Sequence, residues 1–195
     1  MISTLAKAAS VAANDQSESA VGSQSDELGK ALPVLLPRLW RFALRLAGDK
    51  HDAEDLVQRA CMRALERRHQ LQAGTVILSW LFSIMHTVWL NEVRARKVRN
   101  HASLQWDEEL TETLVDSSSV DPETNALYQQ VIAAVARLPE AQRAVMLLVA
   151  VEGLSYREAA DIMSIPVGTV MSRLARARLT IGEAFGASPD QPRDR

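Results

Sequence analysis

Residues 165–178, IPVGTVMSRLARAR, hold three arginines and no acid, in a chain whose formal net charge is −2. At about 100° per residue on a helical wheel, Val167, Val170, Leu174, Ala177 and Ile181 gather on one side. Thr169, Ser172 and Arg176 fall opposite, with Arg173 beside them and Arg178 on the flank. Hydroxyls and guanidiniums on one face offer binding chemistry: they contact phosphate oxygens and read base edges, arginine to guanine being the commonest specific pairing. A solvated amphipathic helix would explain arginines in general but not the missing acids. Covalent chemistry has no such support. There is no glycine-rich phosphate loop, no nucleophile with a nearby base and no placed carboxylate pair. One cysteine, Cys61, excludes an intrachain disulfide, and His51, His69, His86 and His101 are scattered without metal-ligand spacing. No cofactor and no metal are expected.

The elements around this stretch decide how it is presented. Ser155 and Glu158 have the S-x-x-E spacing of a capping box, which starts a short helix. Ser164 and Ile165 make a turn, and Pro166 suits the first position of the next helix, where a missing N–H costs nothing. Two helices so closely joined, the second rich in arginine, have the helix-turn-helix layout that lays its second helix in a DNA major groove.

A second basic cluster closes an earlier helix predicted over 77–100. In NEVRARKVRN, Arg94, Arg96, Lys97 and Arg99 face a single acid, Glu92. Such a helix end suits a phosphate backbone, and equally a solvated terminus favoured by the helix dipole. Trp80, Phe82 and Trp89 lie just upstream. Aromatic rings can stack unpaired bases, and Trp80 and Phe82 cannot both face inward on a regular helix. The preceding helix, predicted from Asp52 to His69, starts with acids and ends with bases, as the dipole favours. Ala53, Leu56, Val57, Ala60 and Ala64 share its inner side, while Asp55, Gln58, Met62 and Glu66 face out. An outward methionine among acids and amides suits a protein partner as well as a plain surface.

The 195 residues allow one medium or two small domains, and an abundance of Ala, Leu and Val with scarce glycine favours helices. We expect an all-α chain of two small helical domains joined by a flexible acidic linker. Residues 1–27 read as a mobile extension, 28–100 as the first domain, 101–124 as the linker, 125–187 as the second domain and 188–195 as a tail. The linker stretch holds seven acids and no lysine or arginine. About 20 residues at ~3.3 Å each reach roughly 65 Å, near two turns of duplex. No run approaches a membrane span and the N-terminus lacks a signal peptide's apolar core, so a cytoplasmic protein without membrane insertion is expected.

With these motifs in view, the chain resembles the extracytoplasmic-function (ECF) sigma factors, the small two-domain initiation subunits of bacterial RNA polymerase. DAEDLVQ resembles their core-binding helix in region 2, and SWLFSI with NEVRARK their promoter-melting and −10-reading helix. LPEAQRAVMLLVAVEGLSYREAADIMSIPVGTVMSRLARAR is similar to region 4 almost throughout. The likeness spans about residues 30–185. Departures are His86 and Thr87 for a usual Arg-Asn, Asn91 for a frequent Asp, Cys61 and Leu65 for large aromatics, and Met171 for a common basic residue.

The resemblance implies promoter-specific initiation with the polymerase core as partner, through its beta-prime clamp and beta flap. Asp52, Asp55, Leu56, Gln58 and Met62 would dock on the core. Trp80, His86, Asn91, Arg94, Arg96, Lys97 and Arg99 would meet the −10 element, its flipped bases held by the 69–78 loop and the start of the third helix. Thr169, Ser172, Arg173, Arg176 and Arg178 would meet the −35 element. It also implies an anti-sigma factor, a monomer when free, and an acidic linker that runs through the positively charged RNA-exit path. Two rivals remain: a dimeric helix-turn-helix regulator that binds an operator without polymerase, and a sigma-mimicking protein that binds no DNA. The basic third helix fits the first poorly, and the Thr169 to Arg176 face argues against the second.

Overall fold

The structure, a computed structural model, describes residues 27–72, 74–102 and 130–186. The expected N-terminal extension, nearly all of the acidic linker and the C-terminal tail lie outside those residues. Among the described residues every regular element is helical.

Helix α1 covers residues 27–47 and ends at Gly48, whose φ of 78° is the left-handed conformation that closes helices at low cost in glycine. Asp49 then caps α2 (Lys50–Glu66), its side chain accepting from the Asp52 N–H at 2.9 Å. That bond holds the Asp49 carboxyl below its usual range. A single tight turn at Arg68–Gln70 follows, so α2 stops three residues before His69. Helix α3 (Ile77–Ala102) runs two residues past the expected domain end.

In the C-terminal half, α4 (residues 130–136) precedes α5 (Glu140–Met146), which Pro139 caps. The chain then widens into a π-turn over Leu147–Val151, where the Glu152 N–H reaches back five residues to the Leu147 carbonyl at 2.9 Å. Helices α6 (Tyr156–Met163) and α7 (Val167–Ala184) complete the fold. The capping box is formed on both sides: Ser155 Oγ accepts from the Glu158 N–H, and the Glu158 carboxylate accepts from the Ser155 N–H. Pro166 sits one residue earlier than expected, as the cap of α7 rather than its first residue.

An alanine stripe on α2 (Ala53, Ala60, Ala64) lets it lie close to α1 and α3, whose large apolar residues fill the core. The Phe42 and Phe82 rings meet there at 4.7 Å between centroids, tilted by 49°. Leu138, Val145, Leu147, Leu148, Leu174 and Ala177 are the buried counterpart in the C-terminal half. The two halves share one continuous core. Helix α3 lies along α6, Arg38 of α1 binds Glu152 beyond the π-turn, and Arg143 of α5 donates to the Leu46 carbonyl at the end of α1 at 3.0 Å.

The turn between α6 and α7 is tight because Ser164 adopts φ 52°, ψ 46°, and the Ile165 N–H bonds the Ala160 carbonyl at 3.0 Å. A residue with a Cβ is strained there by about 1 kcal/mol relative to glycine. Ser164→Gly should therefore raise the thermal midpoint by a few degrees; an unchanged or lower midpoint in a melting curve would refute the strain.

Candidate nucleic-acid interface

Helix α7 buries Val170, Leu174 and Ala177, as its periodicity predicts, while Ile181 is only half-buried. Val167 departs from expectation: at the first turn it stands 39% exposed, because α6 ends before it can cover that position. Ser172, Arg176 and Arg178 are exposed, and Ser172 Oγ donates to the Thr169 carbonyl at 3.1 Å. Thr169 and Arg173 are half-buried, and the Arg173 charge is near enough to His86 of α3 to act on it. The outward set is thus narrower than the wheel suggested.

On α3, Asn91, Arg94, Lys97 and Arg99 are all exposed. His86 does not belong with them. It is buried to 6% exposure, and its pKa is lowered to about 4, first by that burial and then by the charges of Arg173 and Arg94. A neutral, covered imidazole cannot meet DNA in this arrangement. Glu140 at the start of α5 faces the same region. Burial raises its pKa, against the opposing pull of Lys97, Arg143 and Arg94.

Of the aromatic residues, Phe82 is fully buried and Trp89 is 5% exposed. Trp80 is half-buried at the edge of a recess of about 110 Å³, with Arg63, Arg67, Gln70, Ser83, Ile84 and Thr87 around it. Two guanidiniums, an amide and a ring beside a hollow are groups that hold an unstacked base. Arg63, Arg67 and Gln70 come from the end of α2 and the following turn. Their relation to Trp80 is long-range, and no local spacing reveals it.

Helix α2 corrects a second expectation. Leu56 is 3% exposed and packs in the core, so it offers nothing to a partner. Gln58 and the 55%-exposed Met62 do face out. Beside them Leu32, Pro33, Leu36, Trp40, Val57, Cys61 and Leu65 line an apolar groove of about 560 Å³ between α1 and α2.

Asp52 and Asp55 are tied into a lattice with α3. Arg96 forms a fork to Asp52, with both N–O distances 2.5 Å, and its Nε reaches Glu92 at 3.1 Å. Arg59 bridges Asp55 (2.8 Å) and Glu92 (2.9 Å), and Arg99 adds a third bond to Glu92 at 3.0 Å. Glu92's pKa falls to about 2, chiefly through Arg59 and then Arg96, while Asp52 pushes that of Arg96 upward. The Arg96 guanidinium also lies 5.6 Å over the Trp89 ring. Arg96 and Asp52 were expected to serve DNA and polymerase respectively; in this structure they serve each other. The Asp55–Arg59 and Glu92–Arg96 pairs, each four residues apart, were the parts of this lattice that helix spacing alone could have indicated.

The geometry defines a class: a helical protein carrying a helix-turn-helix and a second basic helix beside a base-sized recess. The family model for Sigma-70 region 2 matches residues 34–99, and that for Sigma-70 region 4 matches residues 128–181. The chain is 32% identical over 154 residues to the ECF RNA polymerase sigma factor EcfG of Rhodopseudomonas palustris, covering 79% of this chain and 82% of that one. It is 34% identical over 151 residues to the ECF RNA polymerase sigma factor SigL of Mycobacterium tuberculosis, covering 74% and 83%. Among solved structures it is similar to the sigma factor RpoE of Bartonella quintana in complex with the anti-sigma factor NepR, with TM-score 0.71, 28% identity, and 85% and 99% coverage. CnrH, in complex with the cytosolic domain of CnrY, shares the fold at TM-score 0.59, 20% identity, and 88% and 96% coverage. The chain belongs to the ECF RNA polymerase sigma factors, and promoter-directed transcription initiation is the function that membership carries.

Proposed function

We propose that this sigma factor binds the polymerase core through the outward side of α2 and the adjoining apolar groove. Region 4 would add a contact to the beta flap. Arg94, Lys97, Asn91 and the recess beside Trp80 meet the opened −10 element, and α7 lies in the −35 major groove with Ser172, Arg176 and Arg178 foremost. Residues 28–100 and 125–187 are then the two functional domains, and the acidic segment between them spans the polymerase. The setting is the cytoplasm, where the polymerase works, and the free protein is a monomer.

The observation that carries this reading is the acid-free outer face of α7, set on a capped helix and a tight turn. A lone helix of this kind binds weakly, and the second basic surface on α3 supplies the additional contact. In the packed arrangement Arg173 lies within electrostatic reach of His86, and Glu140 within that of Lys97 and Arg94. Only the inner margin of the α7 surface is therefore covered, Arg173 being half-buried while Arg94, Lys97, Arg176 and Arg178 stand in solvent, and reading separated −10 and −35 elements requires the halves to part. The solved relative in complex with an anti-sigma factor supports such a regulator for this chain.

The test is to mix the protein with core polymerase and a promoter library and sequence the transcripts. Selective starts downstream of paired −35 and −10 elements are expected, and Arg176→Ala should lower them roughly 10- to 100-fold, the worth of one bidentate arginine–base contact. Symmetric operator binding without polymerase would favour the dimeric regulator instead.

A further inference from the structure

The recognition helix carries an apolar flank that promoter binding by arginines does not explain. Met171 is 52% exposed and Val167 39% exposed, one turn apart on the same side of α7. On the opposite flank stand Thr169, Arg173 and Arg176. Between the flanks, the outermost strip holds Gly168, Ser172 and Ala175, none with a long side chain.

Gly168 is informative because the protein itself does not require it. A Cβ built there meets no atom within 4 Å, and its φ lies outside the left-handed region. Gly168 is the second residue of α7, and glycine is a poorer helix former than alanine. Neither packing nor backbone conformation accounts for the poorer residue, whereas close approach of another molecule would.

We propose that Met171, with Val167 beside it, reads the C5-methyl group of a thymine in the −35 element, and that Gly168 lets the helix sit close enough to do so. This rests on the promoter-binding reading of α7. The charge pattern selects the occupant. No acid occurs on α7 before Glu183, and Arg173, Arg176 and Arg178 lie within two turns of Met171. A partner must be negative at the margins and apolar at one point. In the major groove the thymine methyl is the apolar group that base edges present, while cytosine shows an amino donor that a thioether cannot satisfy. Methionine's flexible, polarisable side chain adapts to such a contact. Both apolar residues belong to the N-terminal half of the helix, the part that reaches base edges in helix-turn-helix proteins.

The test uses holoenzyme assembled from core polymerase and the full-length chain. Each thymine of the −35 element is replaced in turn by uracil, which removes only the methyl group. For the wild type, one such replacement should lower initiation about 3- to 10-fold. Met171→Ala should initiate equally on both templates, and Met171→Leu should restore the contrast. Gly168→Ala should raise the thermal midpoint yet weaken initiation on every template carrying that element. Equal thymine and uracil activities for the wild type, or a Met171→Ala variant that keeps the wild-type contrast, would overturn the methyl contact. So would a Met171→Ala loss that is uniform across templates, since the flank would then be covered by polymerase. Absence of initiation on every template would instead sink the promoter reading itself, and this contact with it.

Discussion

Replacing Arg38 with alanine should open the molecule. Arg38 is the charged link between α1 and the segment after the π-turn: its Nε meets the Glu152 carboxylate at 2.5 Å and its Nη2 donates to the Glu152 carbonyl at 3.0 Å. The Glu152 side chain is only 5% exposed, so losing its partner leaves a buried carboxylate uncompensated. Breaking such a pair from one side costs several kcal/mol when both groups are buried, and about 2–3 kcal/mol is reasonable with Arg38 partly in water. The cheapest relief is for Glu152 to reach solvent as the halves part. Small-angle scattering of Arg38→Ala should show a larger radius of gyration, and its affinity for non-specific duplex should rise as Arg173, half-buried in the closed form, is uncovered. A variant with unchanged dimensions and unchanged duplex affinity would show that the closed packing does not depend on this pair.

The second large effect is a loss of stability on acidification, centred on His86. Its folded pKa of about 4 lies below the ordinary 6.5, so the unfolded chain binds the proton more readily. Stability from this group is therefore present above pH 6.5 and declines as pH falls toward 4. The linkage amounts to roughly 1 kcal/mol near about pH 5.5 and about 3 kcal/mol once the pH is below 4. Protonation would set an imidazolium beside Arg94 of its own helix and Arg173 of α7, so the strain falls on the contact between halves. Urea denaturation across this range should show the decline in the wild type and a flatter profile in His86→Gln. Parallel profiles for the two proteins would remove His86 as the cause.

Much of this was legible in one dimension. The capping box, the turn after Met163 and the buried face of α7 follow from local spacing, because each is written in residue types and periodicity over one or a few helical turns. The inner face of α2 followed in the same way for Ala53, Leu56, Ala60 and Ala64. The likeness to sigma factors identified the family from the same stretches. What escaped the sequence depends on which helices meet. His86 is polar on a helix thought to face DNA, and only the packing of α3 against the C-terminal half covers it. Arg96 belongs to a basic run, yet its fork to Asp52 joins residues 44 apart. The π-turn was also hidden, since LLVAV has the composition of an ordinary helix; the extra residue per turn shows only in the bonds from Glu152 and Leu154 back to Leu147 and Leu148.

The lattice around Glu92 changes what a distant polyanion experiences. Asp52, Asp55 and Glu92 are matched one for one by Arg59, Arg96 and Arg99. Their fields cancel within a few ångströms, well inside the ~10 Å Debye length at ordinary salt. A helix end that reads in the sequence as four bases against one acid therefore acts at long range chiefly through Arg94 and Lys97, which stand outside the lattice. Attraction of a promoter to that corner should come from those two cations, and Arg96 and Arg99 should add little to the ionic-strength dependence of the association rate.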